Sequence, residues 1–325
     1  MKAAVHRRFG APDVITVQEV AAPEPQAGQV LIRVGAATVG VVDGLARRGS
    51  PYYARIQFGL RRPRFPVLGS DFAGQVAAVG PGVTGFAAGD DVFGTTAPRF
   101  GAHAEYLVLS AQAALAPMPA GLSYAGAAAL ADATALCFLR DQARLSAGQD
   151  IVINGASGAV GSCAVQLARH YGARVTAVCG AAGAELVRRL GAAEVVDYAR
   201  ADFARAGQAY DVIFDVAGTS SFARCRAALR PGGTYLTTAP SLAIAVQVPW
   251  TSRFGSKTAR IAFTGLRPAA DKRRDLARLR ELAEASALVP VIEDSYPLAR
   301  IADAHRRVDA GHKQGNVVVT MTDGP

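Results

Sequence analysis

Residues 151–180 read IVINGASGAVGSCAVQLARHYGARVTAVCG, and this stretch decides the fold. The apolar run at its start is typical of a buried strand, and the helical pattern that follows ends at Gly172. A second β-branched run, RVTAVCG, has the composition of another strand. Three glycines, Gly155, Gly158 and Gly161, separate the first strand from the helix. The stretch therefore predicts a complete strand–turn–helix–strand unit.

The turn between strand and helix is compatible with three kinds of site, and its residues favour one. A P-loop ends in Gly-Lys-Ser/Thr, whereas this turn reads VGSC and has no lysine. A nucleophilic serine needs Gly-x-Ser-x-Gly, and in GASGA the last position is Ala159, so Ser157 misses the pattern. A dinucleotide site needs glycines where the backbone bends towards a pyrophosphate at a helix N-terminus. The residues predicted to surround that pyrophosphate are Gly155, Ala156, Ser157, Gly158, Ala159, Val160 and Gly161.

The rest of the chain divides by its pattern of residues. Residues 1–120 contain short apolar runs separated by Gly and Pro turns, which is typical of a β-rich domain. In residues 121–266 helical and strand patterns alternate, which predicts a doubly wound parallel sheet with helices on both faces. Residues 267–325 contain an amphipathic helix, KRRDLARLRELAEA, and then return to a β-rich pattern. The fold class is therefore α/β, and we expect the C-terminal segment to rejoin the first domain.

Composition limits the classes of function. The 325 residues are 50% hydrophobic and 19% charged, which is typical of a globular protein. No apolar run reaches the roughly 20 residues that span a bilayer, and the N-terminal stretch has no signal-peptide core, so we expect a cytoplasmic protein. Its four scattered cysteines are expected to be reduced. The net charge of +9 is dispersed, which favours an anionic ligand over a nucleic-acid partner.

The end of the second strand bears on which dinucleotide is bound. An Asp or Glu is expected there in sites that bind the ribose 2′-hydroxyl of NAD. Here the strand ends in Val178, Cys179 and Gly180, and the next acid, Glu185, falls on the following helix. Without a carboxylate there is no repulsion against a 2′-phosphate. The sequence therefore favours NADPH, with NADH as the alternative.

Motifs that resemble one protein family are spread along almost the whole chain. Besides the glycine-rich turn they read PVLGSDFAGQVAAVGPGVTGFAAGDDVFG, FGAHAEYLVL, LGAAEVVDY, YDVIFDVAG and GHKQGNVVV. They resemble the zinc-independent medium-chain dehydrogenase/reductases, in particular the NADPH:quinone oxidoreductase and zeta-crystallin-like group. The resemblance implies a GroES-like catalytic domain, a Rossmann domain and a cleft between them for NADPH and substrate. It also implies a homodimer in which the late strand near ARIAFTG extends the sheet across a two-fold axis.

The resemblance can be tested for zinc residue by residue. Zinc alcohol dehydrogenases of this superfamily carry a cysteine three residues before an aspartate, and then a Gly-His-Glu. Here Gly40 stands three residues before Asp43, and Ser70 occupies the position of the histidine. Neither residue is a thiolate or an imidazole, the ligands a catalytic zinc needs. The four-cysteine structural lobe is also missing, because no cysteine precedes Cys137. We therefore predict no metal.

The resemblance also implies further cofactor contacts. Thr134 is similar to a threonine that lies near the nicotinamide, and Tyr198 to a tyrosine that contacts the adenosine 2′-phosphate. The alternatives are an ordinary strand-end aromatic for Tyr198 and a turn cap for Asn316. The Ser or Thr and the Lys or Arg that usually follow the second strand are absent, so Lys313 or a nearby arginine would have to compensate. The implied contacts are Thr134, Cys179, Gly180, Tyr198, Gly218, Phe254, Lys313 and Asn316.

The chemistry that these parts allow is hydride transfer from a nicotinamide to an electron-poor carbon, followed by protonation. Without zinc, the protein's main contribution is to position the two reactants, and a well-placed acid adds to the rate. The candidate acids are Asp43, Tyr52 and Tyr53, since the stretch that contains them resembles the one that lines the cleft. The alternatives are a helix-capping role for Asp43 and an apolar wall for the two tyrosines.

The function expected from the sequence is an NADPH-dependent reductase of a quinone or an α,β-unsaturated carbonyl, with a tailoring step in secondary metabolism as one setting. Gly40 replaces the family's usual asparagine, and Gly44 and Leu45 replace bulkier residues, which indicates a roomier site. Two alternatives stay open. One is a cofactor-binding enzyme with a redox-neutral reaction, such as a cyclase. The other is a non-catalytic structural or RNA-binding protein, as zeta-crystallins partly are.

Overall fold

The computed structural model describes residues 1–205, 207 and 209–321, except the side chain of Tyr53. In these residues the chain forms two compact units. Unit 1 contains Met1–Asp132, Gly265–Ser286 and the described residues from Pro290 onwards, and unit 2 contains Ala133–Thr264 and Ala287–Val289. Each unit is described by itself.

The strands and helices follow one another along both units. The strands are β1 (Lys2–Val5), β2 (Thr16–Glu19), β3 (Gln29–Val39), β4 (Asp71–Val79), β5 (Asp91–Thr95), β6 (Tyr106–Ser110), β7 (Ala114–Pro117), β8 (Asp150–Asn154), β9 (Arg174–Cys179), β10 (Glu194–Asp197), β11 (Tyr210–Asp215), β12 (Leu229–Thr237), β13 (Thr258–Ile261), β14 (Ile292–Pro297) and β15 (Asn316–Thr320). The helices are α1 (Val41–Arg48), α2 (Arg55–Phe58), α3 (Tyr124–Leu130), α4 (Thr134–Leu136), α5 (Ala159–His170), α6 (Ala184–Leu190), α7 (Phe222–Cys225), α8 (Leu242–Phe254), α9 (Ala269–Glu284) and α10 (Ile301–Asp309). A π-helical turn covers Cys137–Ala143, and 3₁₀ turns cover Pro12–Val14, Tyr52–Ala54, Ala181–Gly183, Phe203–Arg205, Arg226–Ala228, Thr264–Leu266 and Leu298–Arg300.

Unit 1 is built on a sheet in the order β14-β15-β3-β4-β5-β7, with β6 also pairing with β3. The long strand β3 alternates buried and more exposed residues along its first half, as expected for a strand with one face on a core. Ile32, Phe72 and Val317, from three different strands of this sheet, are fully buried together in that core. β15 runs antiparallel to β3 and parallel to β14. A strand that ends at residue 39 thus pairs with one from the end of the described chain within one sheet.

Residues 123–145, SYAGAAALADATALCFLRDQARL, are rich in Ala and Leu and have a helical pattern, which the structure divides between the two units. Its first part forms α3, which Ser123 caps and which packs on β3 and β4 of unit 1. Its second part, α4 and the π-helical turn, belongs to unit 2, and residues 131–133 between them are not helical. Unit 1 therefore extends to Asp132, beyond the boundary expected at residue 120, because the apolar face of α3 is buried on its sheet.

Unit 2 is a six-stranded parallel sheet in the order β10-β9-β8-β11-β12-β13. The apolar run Ile151–Ile153 lies at its centre and is fully buried, which explains why it is a continuous apolar run instead of an alternating one. The predicted fold class is confirmed, since this is the strand order of a doubly wound dinucleotide-binding sheet. The order reverses between β8 and β11, and ligands of such sheets bind beside the carboxyl ends of the strands at that point.

The amphipathic pattern near the C-terminus is confirmed as α9, which packs on β7 in unit 1. Its buried face is formed by Leu276, Leu279 and Leu282, at the spacing of a helical stripe. None of the helices in the described residues is long and apolar enough to cross a bilayer.

Candidate functional site

The glycine-rich turn leaves the carboxyl end of β8 and leads into α5. Gly155 has φ +86°, a left-handed conformation that glycine adopts without strain. A β-carbon on Gly161 would lie 2.1 Å from the carbonyl oxygen of Gly155, so this glycine allows α5 to pack closely on the turn. A β-carbon on Gly158 would instead meet only that same oxygen, at 3.5 Å. The first and third glycines thus shape the turn, and the second leaves space above it.

The N-terminus of α5 is open to an anion. Gly158 is its N-cap residue and offers no side chain to the first backbone N–H groups, and the first turn contains no acidic residue. The N–H of Ser162 donates to the carbonyl of Gly158 at 2.8 Å, which closes the first turn of the helix. Free N–H groups and the helix dipole together attract a phosphate. The residues present therefore fit the pyrophosphate of a dinucleotide.

Asp215, at the end of β11, organises the neighbouring strand end. Its carboxylate accepts hydrogen bonds from the Asn154 side chain at 2.8 Å and from the Tyr235 hydroxyl at 2.9 Å. It also accepts from the backbone N–H groups of Gly218 at 3.0 Å and Ser220 at 2.9 Å. Because a buried carboxylate is stable only when such donors surround it, these four bonds fix the loop after β11 against the end of β8.

Gly218, one of the residues implied by the resemblance, is held by that network. It has φ +66°, and a β-carbon there would lie 2.7 Å from the β-carbon of Ala239. Asp215 itself was not among the sequence candidates. Its position at the end of the YDVIFD strand was a signal, but its role depends on donors from β8, β12 and the following loop, which the sequence does not show to be adjacent.

The end of β9 meets the end of β10. Cys179 is buried, and burial, with a further contribution from the Asp197 charge, raises the pKa of its thiol. Gly180 follows it, and the Tyr198 hydroxyl oxygen lies 3.0 Å from where a β-carbon on Gly180 would be. Tyr198 is 53% exposed. The structure thus brings Cys179, Gly180 and Tyr198 together. β9 itself ends without an acidic residue, and Asp197, at the end of β10, is the register partner of Cys179.

A cavity of about 320 Å³ opens beside these strand ends. Val178 and Phe203 supply apolar wall, and Tyr198 supplies an aromatic ring. Ala201 adds a methyl group to the apolar wall, and the polar wall consists of Asn154, Arg200, Asp202, Thr219, Ser220 and Arg224. Its place at the carboxyl ends of β8 to β11 is where a doubly wound sheet binds the adenosine half of a dinucleotide.

Thr134 and Phe254 lie elsewhere in unit 2. Thr134 is the first residue of α4, and its hydroxyl is 3.1 Å from the hydroxyl of Thr264. Phe254 ends α8, is 69% exposed, and contacts Trp250 with a ring separation of 5.0 Å. Neither residue lines the cavity described above.

The candidate acid Asp43 is occupied by structural hydrogen bonds in unit 1. Its side chain is buried, and its two oxygens accept from the backbone N–H of Gly40 at 2.8 Å and of Gly69 at 2.8 Å. The first of these bonds closes the N-terminus of α1. This geometry favours the capping alternative, because both oxygens already have donors. Gly40 donates one of these bonds, and Ser70 directly follows the donor of the other, Gly69.

The two candidate tyrosines lie in the 3₁₀ turn Tyr52–Ala54. Tyr52 is 76% exposed, and the Arg55 guanidinium lies over its ring at 4.9 Å. The side chain of Tyr53 lies outside the described residues.

Lys313 and Asn316 belong to unit 1 and hold the turn before β15. The Lys313 ammonium donates to the carbonyl of Gly315 at 2.6 Å, and the Asn316 side chain donates to the carbonyl of Val291 at 3.1 Å. Burial lowers the pKa of Lys313 to about 8. The turn-capping alternative thus describes the contact of Asn316. Lys313 is not among the residues that line the cavity of unit 2.

An ionisable residue of unit 1 that the sequence reasoning missed is Asp71. It accepts from the Ser70 hydroxyl at 3.2 Å, and burial together with the charge of Asp132 raises its pKa to about 7. Both effects favour the protonated form of the Asp71 carboxyl. Its place in the GSD motif was the available signal, but the acids that surround it come from distant parts of the chain. No cluster of metal-ligating side chains occurs in the described part of the chain.

Comparison with known proteins covers both units. The sequence profile of the alcohol dehydrogenase GroES-like domain matches residues 26–120, and that of the zinc-binding dehydrogenase family matches residues 190–319. The chain is 31% identical over 336 residues to an NADPH-dependent alkenal/one oxidoreductase of Arabidopsis thaliana, covering 98% of this chain and 79% of the relative. It is 30% identical to the quinone oxidoreductase of Rattus norvegicus, covering 96% and 95%.

A solved structure agrees with these sequence matches. The quinone oxidoreductase from Coxiella burnetii superposes with a TM-score of 0.88 at 26% identity, covering 99% of each chain. The similarity therefore extends over the whole length of both units.

Proposed function

Because the chain belongs to the medium-chain dehydrogenase/reductase family, in its quinone oxidoreductase group, we propose that it is an NADPH-dependent reductase of quinones or α,β-unsaturated carbonyls. The observation that carries this proposal is the glycine turn at the point where the strand order reverses, followed by the uncapped N-terminus of α5. The chain is thus an oxidoreductase that uses a nicotinamide cofactor.

The choice of NADPH over NADH is supported by the end of β9. Val178, Cys179 and Gly180 place no carboxylate beside the ribose, whereas NAD sites use one to accept from the 2′-hydroxyl. The Tyr198 hydroxyl next to Gly180 can donate to a phosphate. The Arabidopsis relative is named as NADPH-dependent, which agrees with this choice.

When bound, the cofactor supplies a hydride to the electron-poor carbon of the substrate. The residues of this chain have the task of orienting the cofactor. The turn Gly155–Gly161 binds the pyrophosphate, Asp215 fixes the loop of Gly218, and the cavity of about 320 Å³ receives the adenosine. Holding two reactants in the correct geometry lowers a barrier by up to roughly 7–11 kcal/mol. We keep Thr134 and Phe254 of unit 2, and Asp43, Tyr52, Tyr53, Lys313 and Asn316 of unit 1, as proposed contacts of the cofactor or substrate.

The substrate class is supported by the names of relatives, which act on quinones, alkenals and alkenones. The proposal includes no catalytic zinc, because Gly40 and Ser70 carry neither thiol nor imidazole at the corresponding positions.

The test is the decrease in absorbance of NADPH, and separately of NADH, with the purified protein and two acceptors, an ortho-quinone and a simple enone. Turnover with NADPH and either acceptor is expected, and turnover with NADH is expected to be slower. A protein that binds NADPH tightly yet oxidises it with neither acceptor would contradict the proposed reaction. Product analysis would then look for a redox-neutral conversion.

We also propose that the protein is a homodimer. β13 is an edge strand of the unit 2 sheet, and α8 beside it exposes Leu242, Val246, Trp250 and Phe254 at four-residue spacing. Such an apolar stripe next to an unpaired sheet edge is typical of a surface that associates. Trp250→Lys is expected to shift the mass measured by light scattering from dimer to monomer. Leu60→Lys, which changes an exposed leucine in unit 1, is the matched control and should leave the mass unchanged.

A further inference from the structure

The segment after β10 turns sharply at the rim of the adenosine cavity. The N–H of Tyr198 donates to the carbonyl of Cys179 at 3.3 Å, which joins the segment to the end of β9. The N–H of Arg200 donates to the carbonyl of Asp197 at 3.0 Å, and the Asp197 side chain accepts from the N–H of Ala199 at 3.0 Å. These bonds fix the backbone of the turn. Tyr198 and Arg200 therefore both contribute to the cavity wall from a defined loop.

The two arginines of the cavity wall differ in whether a carboxylate accepts a hydrogen bond from the guanidinium. Arg224 donates to Asp202 at 3.0 Å, and Arg205 is a second cation near the same carboxylate, at 3.5 Å. The nearest carboxylate to Arg200 is Asp197 at 3.7 Å, which is beyond hydrogen-bond distance. The Arg200 side chain is 86% exposed, whereas that of Arg224 is 56% exposed. Arg200 thus has a guanidinium whose donors are available to a ligand of the cavity.

We propose that Arg200, together with the Tyr198 hydroxyl, binds the 2′-phosphate of NADPH and is the residue that makes this chain prefer NADPH. The inference rests on the proposed function. Directly after β9 this chain has Gly180, Ala181 and Ala182, whose side chains offer no donor to a phosphate, so the donors have to come from the segment after β10. A guanidinium suits this role, because it presents paired N–H donors to phosphate oxygens and keeps its charge at all physiological pH values.

The test measures binding and does not depend on turnover. Isothermal titration calorimetry with adenosine 2′,5′-bisphosphate and with adenosine 5′-monophosphate isolates the contribution of the 2′-phosphate. For the wild-type protein we expect tighter binding of the bisphosphate. Arg200→Ala should weaken the bisphosphate about tenfold, the size of one charged hydrogen bond, and leave the monophosphate unchanged. Arg200→Lys should recover part of the loss, because it keeps the charge but not the fork of donors.

Arg205→Ala is the matched control, because Arg205 is a neighbouring exposed arginine that does not line the cavity. It should bind both nucleotides like the wild-type protein. If Arg200→Ala keeps the wild-type preference, or if the preference is lost only in Arg224→Ala, the inference about Arg200 is wrong while the proposed function stands. A wild-type protein that binds neither NADPH nor either adenosine nucleotide would overturn the proposed function as well.

Discussion

The hydroxyl oxygen of Tyr198 lies 3.0 Å from the position that a β-carbon on Gly180 would occupy. Gly180 has φ −76° and ψ 164°, which any residue adopts, and it is the N-cap of the 3₁₀ turn Ala181–Gly183. A side chain at position 180 would therefore point at the Tyr198 hydroxyl with only a small shift of that half-exposed ring.

The first prediction uses this geometry. Gly180→Asp should place a carboxylate beside the 2′-phosphate, where repulsion between like charges weakens NADPH binding by about tenfold or more and spares NADH. Dissociation constants from quenching of protein fluorescence provide the measurement. Gly180→Asn has the same size without the charge and should change the NADPH to NADH ratio far less. Equal effects of Asp and Asn would show that the carboxylate does not face the phosphate.

A second prediction separates two glycines of the turn. Gly158→Ala should leave the melting temperature nearly unchanged, because its β-carbon meets only the Gly155 oxygen, at 3.5 Å. It should nevertheless weaken NADPH binding, because the methyl group fills space next to the N-terminus of α5. Gly161→Ala should lower both stability and binding, since its β-carbon would lie 2.1 Å from the same oxygen. Thermal unfolding measures the stability of the two variants, and calorimetry measures their affinity for NADPH. Full NADPH affinity in Gly158→Ala would argue against a pyrophosphate beside Gly158.

A third prediction concerns Asp215. Asp215→Asn should lower the free energy of unfolding by about 2–4 kcal/mol, because a neutral amide with one oxygen cannot accept from four donors. It should also weaken dinucleotide binding, since the loop of Gly218 loses its anchor. Tyr235→Phe removes one donor and should cost about 1 kcal/mol. Denaturant unfolding followed by circular dichroism measures both, and comparable losses in the two variants would mean that the carboxylate is not the organising group.

A fourth prediction concerns acid stability. His305 in unit 1 is fully buried, and burial, reinforced by the charges of His103 and Arg47, lowers its pKa to about 2. The unfolded chain therefore takes up a proton at this histidine near pH 6.5, whereas the folded chain does not. The contribution of His305 to the free energy of unfolding is complete above that pH and decreases as the pH falls below it. Between about pH 7.5 and 5.5 this one group should account for roughly 1.4 kcal/mol.

The check is the difference in free energy of unfolding between those two pH values. It should shrink in His305→Phe, which has no titrating group, and persist in the control His170→Gln, where the histidine is exposed. This comparison does not depend on the absolute stability of His305→Phe, because each protein is compared with itself at the two pH values. An identical pH dependence in His305→Phe and the wild-type protein would contradict the assignment.

Much of unit 2 could be predicted from the sequence because its signals are local. The glycine turn, the apolar run Ile151–Ile153 and the helix after them occupy one short stretch, and each is stabilised mainly by its neighbours. Asp215 and Arg200 could not be assigned in the same way. The role of Asp215 depends on four donors from three parts of unit 2, which are β8, β12 and the loop after β11. The role of Arg200 depends on which carboxylates the other arginines already bind.

Two features of unit 1 could not be predicted from the sequence. Asp43 had the identity of a candidate acid, but its position three residues after Gly40 is also that of an acid that caps a helix, and the structure shows this bond together with a second one from Gly69. The helical pattern at residues 123–145 has no breaker at residues 131–133, so its division between two units was not visible in residue preferences.

The placement of β15 between β14 and β3 has a consequence during synthesis on the ribosome. The strands of unit 2 emerge consecutively, so its sheet can assemble while later residues are still being translated. The main sheet of unit 1 lacks an inner strand until residues 316–320 have left the exit tunnel. Residues 36–39 of β3 have no partner strand on that side for most of this time, whereas β6 is already available to pair with residues 29–33. Nascent chains arrested before β15 should therefore resist protease in unit 2 and remain sensitive to it in unit 1. A chaperone would find an exposed strand in these arrested chains.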